Sequence, residues 1–341
     1  IVSCSKPEVI VPELPVDPVI PESDEYASVV MVMAQAGFED SEMITKNEAV
    51  IGDKVDFVWS VTDSVGIFPD AGSQIYFSMA SGAGQKSAAF DGGGWALKKS
   101  STYFSYFPFT PDFYIDKTAI PLTYVGQTQR GNAYEQRADI GKYGYMVAKG
   151  AADEASGSLY FNYERLGDLF RVKIPVMEGT YTSLTIRTDS DVLVQSGTYN
   201  AVDMDLAIND PVYGDSLTLV FEDMTFDKNG TLVAFIMMAP FNYENRQLSF
   251  ELKDSEGDVA VSSVRGKDYE RGMTYANAPH ISVSPAFVYA DGGSDSFIFN
   301  ITASGTHKYE ISSDSSWMSF DSNPTSGSAS VVVNVESNPG L

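Results

Sequence analysis

Two histidines, one cysteine and 46 acidic side chains are the groups in this 341-residue chain from which a reactive centre could be assembled. A zinc site or a nucleophilic triad needs His, Cys, Ser and acids gathered at set spacings. His280 stands beside Pro279 and His307 in a turn-forming run, and neither has a second His, a Cys or a suitably placed Ser near it, so both read as loop residues. Asp227-Lys-Asn229-Gly230 opens like a calcium loop, but the twelfth position carries no Glu and the stretch reads as a hairpin turn. Asp291-Gly-Gly-Ser-Asp295 could cap a cation and likewise reads as a turn. With acids spread along the whole chain, no carboxylate pair stands out as a glycosidase couple. No catalytic residue, metal or cofactor is therefore expected. Aromatic side chains offer a different chemistry, stacking on sugars. Tyr289, Tyr309 and Trp317 are the candidate glycan contacts, whereas the alternating run Tyr103 to Phe109 reads as a buried strand.

The charge balance narrows the partners. Forty-six acidic against 22 basic residues leave a net charge of -24, which repels phosphate backbones and anionic lipid surfaces, so nucleic acid is excluded as an expected partner. A hydrophobic content of 43%, with 3 Trp, 19 Tyr and 20 Phe, suffices for cores in two or three domains. No apolar run approaches the roughly 18 residues of a membrane-spanning helix, so membrane contact must come through an anchor. The order Ile1-Val2-Ser3-Cys4 resembles the end of a bacterial lipoprotein signal, which makes Cys4 the candidate lipid-attachment residue. Prolines 7, 12, 15, 18 and 21 follow, and such a segment runs as extended polyproline helix, a tether over residues 1–24 that holds a domain off a surface.

The elements that would position these groups are strands. Tyr26 to Ala36 is apolar at odd and even positions alike, and its β-branched Val29, Val30 and Val32 favour a strand covered on both faces over a helix. From Lys46 onward, short strands recur every 8 to 12 residues with Gly, Asn and Asp turns, and no segment is long enough for a crossover helix. The strand pairings are therefore expected to be antiparallel. Leu232 to Met238 is again apolar on both faces, the pattern of a central strand. After Asn277-Ala-Pro279, Phe297, Phe299 and Ile301 share one face, as do Val331, Val333 and Val335.

Certain strings carry a family resemblance. A Trp59 strand, Val65-Gly-Ile-Phe-Pro69, Tyr103-Phe-Ser-Tyr-Phe-Pro-Phe109, Gln127, and Ala138-Asp-Ile140 before Tyr145-Met-Val-Ala148 form an ordered succession that resembles the fimbrillin superfamily of Bacteroidales. Leu159 to Pro175 looks like the entry to that family's second domain, with Asn162 or Tyr163 where a His is common. Ile281-Ser-Val-Ser-Pro285, a Gly-Gly-Ser turn, Trp317 and Pro324-Thr-Ser-Gly327 before an alternating valine strand resemble the BACON domain, whose further strand would lie beyond Leu341. The resemblances imply an all-β chain with two tandem transthyretin-like antiparallel β-sandwich domains (25–152 and 153–277) followed by a small immunoglobulin-like sandwich (278–341). They further imply a non-enzymatic outer-membrane lipoprotein at the cell surface, a pilus subunit, tip or accessory in adhesion whose partners are other pilin subunits. The alternative is glycan or mucin binding through the last module. In the fimbrillins a protease cuts after the first strand, which leaves and is replaced by a strand of another subunit. The only basic residue between Pro7 and Asp53 is Lys46, which makes it the candidate processing site. Asp63-Ser-Val65 and Asp215-Ser-Leu217 resemble an O-glycosylation pattern of Bacteroides and equally fit plain turns.

Overall fold

The computed structural model describes residues 32–36, 48–51, 55–95, 97–112, 114–132, 141–153, 158–257, 259–277, 281–285, 288–289, 292–303 and 309–337. Strands with period-two burial and short polar turns account for the architecture, and the one described helix is a single 3-10 turn at Gly141–Tyr143. The stretch read as strand rather than helix is a strand where described, β1 (Val32–Ala36), and β2 (Glu48–Ile51) forms a hairpin with β3 (Val55–Val58). There follow β4 (Ser64–Pro69), β5 (Ile75–Ser81), β6 (Ser87–Asp91), β7 (Thr102–Phe107), β8 (Ile120–Thr123), β9 (Gln127–Arg130), β10 (Met146–Ala151) and β11 (Leu159–Arg165). Seven of them close into a barrel in the order β1-β11-β10-β7-β4-β5-β6.

The next strands are β12 (Asp168–Val176), β13 (Gly179–Arg187), β14 (Leu193–Tyr199), β15 (Ile208–Gly214), β16 (Ser216–Phe226), β17 (Gly230–Met238), β18 (Phe241–Asn242), β19 (Gln247–Asp254), β20 (Val259–Arg265), β21 (Asp268–Tyr269) and β22 (Thr274–Asn277). The last block holds β23 (Ile281–Ser284), β24 (Asp295–Ala303), β25 (Met318–Phe320) and β26 (Ala329–Val335). A nine-stranded sheet runs β25-β26-β24-β23-β20-β19-β13-β16-β9, and two three-stranded sheets run β17-β12-β22 and β15-β14-β8. Sheet membership thus crosses residue 152 in both directions. β8 and β9 join strands that follow it, whereas β11 returns to complete the barrel. The strands after residue 281 extend the neighbouring sheet through the pair Val261↔Val283.

Three pairings depart from the expected antiparallel pattern: β1 with β11, β9 with β16 and β12 with β22 are parallel. A parallel neighbour does need a long return path, as the absence of crossover helices suggested. Here the path runs through the other strands of the fold instead of through a helix.

Two cores meet at one wall. Trp59 is the centre of the barrel core, with Phe90, Phe107 and Tyr163 edge-on to it at 5.0, 5.4 and 6.1 Å. β7 contributes Tyr103 and Phe107 to that core and turns Phe104 and Tyr106 into the second one, and β4 and β10 divide their side chains the same way. The aromatic run Tyr103 to Phe107 is buried as its alternation implied.

β17 corrects one expectation. Leu232 to Met238 is buried throughout, yet β17 ends its sheet and pairs with β12 alone. Its other edge is closed by side-chain amides from β9 and the residues after it. The Gln127 amide donates to Met237 O (2.7 Å) and accepts from Met237 N (2.7 Å). Gln129 donates to Val233 O (2.8 Å) and accepts from Phe235 N (2.9 Å), and Asn132 does the same with Thr231 O (2.9 Å) and Val233 N (2.8 Å). A carboxamide carries a donor and an acceptor like a peptide group, so alternate amides on one strand serve as a surrogate strand for a buried edge. Replacing one with an apolar residue strands a backbone N–H and a C=O away from water, at about 1–3 kcal/mol each. We expect Gln129→Leu to lower the denaturant midpoint by the equivalent of ~2–5 kcal/mol. Gln129→Glu, which can accept but no longer donate when ionised, should also lower it, and unchanged midpoints in both variants would contradict the account.

Candidate functional site

The barrel has one seam closed by the first described strand. β1 pairs in parallel with β11 (Val32↔Leu159, Ala34↔Phe161, Ala36↔Tyr163) and antiparallel with β6 (Val32↔Phe90, Ala34↔Ala88). Along β11, burial alternates strictly, with Leu159, Phe161 and Tyr163 in the barrel core and Tyr160, Asn162 and Glu164 outside. Positions 32, 34 and 36 therefore stand in register with the inward residues of the seam.

The floor under the seam is buried and hydrogen-bonded. Ser105 donates from its hydroxyl to Gly66 O (3.0 Å), so the 2.5 Å contact between the Ser105 and Tyr163 hydroxyls is a bond donated by Tyr163. Burial pushes the Tyr163 hydroxyl far above the usual tyrosine range, and it stays a donor. At the end of β11, burial likewise lowers the Arg165 guanidinium to about 9. Taking β1 away would leave the inner edges of β6 and β11 without backbone partners above this aromatic floor. Such a groove accepts an extended segment by strand addition.

The residues singled out by chemistry are not gathered here. Cys4, Lys46, His280 and His307 lie outside the described residues. Tyr289 is 88% and Trp317 48% exposed, whereas Tyr309 is half-buried with its hydroxyl donating to Gly327 O (2.7 Å). Asp227 to Asn229 form the turn between β16 and β17. Asp63 is buried and accepts from Ser60 N (2.8 Å), and Asp215 takes the Ser216 hydroxyl (2.9 Å) and Arg187 (3.1 Å), so both acids of the Asp-Ser motifs hold local structure. Among the described residues no three His, Cys, Asp or Glu side chains group as metal ligands, and no helix is long and apolar enough to cross a membrane. Sequence reasoning missed the roles of Gln129 and Asn132. The signal was available in Gln127-Thr-Gln129, where polar amides occupy the inward alternate positions of a strand.

No family profile matches the sequence, and no curated protein matches it. Among solved structures, a candidate cell adhesion protein of Bacteroides ovatus superposes with a TM-score of 0.50 at 12% identity, covering 74% of this chain and 92% of its own. A second candidate cell adhesion protein, from Bacteroides uniformis, gives 0.47 at 15% identity (74% and 93%). The tip fimbrial protein of Porphyromonas gingivalis, truncated at its C-terminus, gives 0.34 at 9% identity (77% and 95%). At these identities the first likeness bears on the fold, and the other two, with lower TM-scores, carry no argument.

If β1 closes the seam, a chain lacking residues 1–46 should bind a hydrophobic dye and self-associate, and a synthetic peptide of residues 28–36 should reverse both. Dye binding equal to that of the full chain, or insensitivity to the peptide, would contradict this.

Proposed function

We propose that this protein is a non-enzymatic cell-surface subunit of an adhesive pilus, in a tip or accessory position, that joins other subunits by exchanging the strand in its barrel seam. The observation that carries this reading is the position of β1, a short strand early in the chain, paired on both edges and closing a barrel that is otherwise complete. A strand in that place can leave without unthreading any other element. The fold likeness to the Bacteroides ovatus protein, itself described as a candidate for cell adhesion, supports it, as does the sequence resemblance to fimbrillins.

In this reading Cys4 carries the lipid that anchors the chain to the outer membrane, and the proline run holds the barrel away from it. Cleavage after Lys46 releases the segment containing β1, and the strand of a partner subunit takes the seat. The second reading, glycan binding through the last module, is favoured by the exposure of Tyr289 and Trp317, although Tyr309 spends its hydroxyl within the fold.

Mass spectrometry of the protein recovered from cell surfaces tests the first reading. We expect chains in assembled particles to begin at Asn47, and both that terminus and assembly to disappear with Lys46→Ala. Assembled particles whose chains all begin at Cys4 would overturn strand exchange at this seam.

A further inference from the structure

A cavity of 710 Å³ opens in the second block, its lining reaching Leu166 just past the end of β11. One wall is β15 with the turn before it, and the other is the short β18–β21 pair with the turn at Glu270 and Arg271. The first wall is held in a costly conformation. Met204 and Leu206 have φ of 54° and 58°, the left-handed region that residues other than Gly, Asn and Asp avoid. Strain of this kind persists where the surrounding structure imposes it, and it gathers at binding sites.

The lining combines a platform with mixed hydrogen-bonding groups. Phe241 and Tyr269 stack at 4.7 Å on the inner side, and Tyr213, 52% exposed, stands at the mouth. Asn242 accepts from Glu244 N through its Oδ1, which leaves its amide nitrogen as a donor. The side chains of Asp268 and Glu270 offer acceptors, and Arg271 offers donors without an ion pair among the described residues.

A pyranose ring presents an apolar C–H face and a rim of hydroxyls, each both donor and acceptor. An exposed tyrosine beside a carboxamide, two carboxylates and a guanidinium matches both parts. The two acids in the lining, in a chain of net charge -24, disfavour sialylated or sulfated sugars. From this geometry we infer that the cavity is a binding site for a neutral saccharide, with Tyr213 as its stacking platform and Asn242 as its polar anchor. It is independent of strand exchange, and distinct from a site at Trp317.

The test is binding of the full chain to an array of neutral, sialylated and sulfated glycans, repeated with Tyr213→Ala, Asn242→Ala and Trp317→Ala. Tyr213 and Asn242 are exposed, and denaturant midpoints confirm that the variants fold. The expected result is retention of neutral glycans, weakened at least about tenfold by Tyr213→Ala and by Asn242→Ala and unchanged by Trp317→Ala. Absence of binding to every neutral glycan, preference for the anionic ones, or neutral binding that survives both cavity substitutions would overturn the inference.

Discussion

A buried backbone edge must find partners, and that requirement organises this fold. In a chain made of strands, every sheet ends in two rows of N–H and C=O groups that water, a neighbour or a side chain has to satisfy. The protein meets the requirement in two contrasting ways. The edge of β17, sunk in the second core, is sealed by the carboxamides of Gln127, Gln129 and Asn132, side chains of β9 and the residues after it imitating the backbone of a strand. The barrel seam is instead sealed by β1, a separate five-residue strand whose two edges both pair. The amide seal is built into the sheet and cannot be exchanged without breaking it. The strand seal is a separate segment, and in the proposed function a strand of similar shape and direction takes its place.

The wall of β4, β7 and β10 makes this division of labour workable. Because Tyr103 and Phe107 face one core while Phe104 and Tyr106 face the other, the barrel is braced from outside on the side of its ring that β7 occupies. β1 lies elsewhere in the ring, between β6 and β11, and β11 turns Tyr160, Asn162 and Glu164 to solvent. The seam thus lies away from the wall shared with the second core, beside a strand whose outer face is exposed.

Much of this was legible in the sequence where the signal is local. Period-two alternation marked β7, and β-branched residues told strand from helix at Val32. Partner choice was not legible, because it depends on edges contributed from far along the chain. Nothing within Gln127 to Arg130 says that this strand will lie parallel to residues 219–222, or that its amides will seal β17. The doubly apolar Leu232 to Met238 looked central for the sound reason that both its faces are buried, but burial of faces does not reveal what satisfies an edge. Of the candidate site, the strand itself could be read, whereas its mixed parallel and antiparallel seat could not. The cavity beside β15 lies next to left-handed Met204 and Leu206, which no local pattern announces.

The claim at the centre of this account is that β1 must leave its seat for subunits to join. The register partners Gln35 and Asn162 lie on adjacent strands, a spacing of about 4.7–4.9 Å that a disulfide can span, so cysteines at both positions would tie the strand in place. The direct measurement is pilus assembly by the Gln35→Cys, Asn162→Cys double variant under oxidising and reducing conditions. The account predicts that assembly stops when the disulfide forms and returns when it is reduced. Equal assembly in both conditions, with the disulfide verified in the assembled chains, would contradict it.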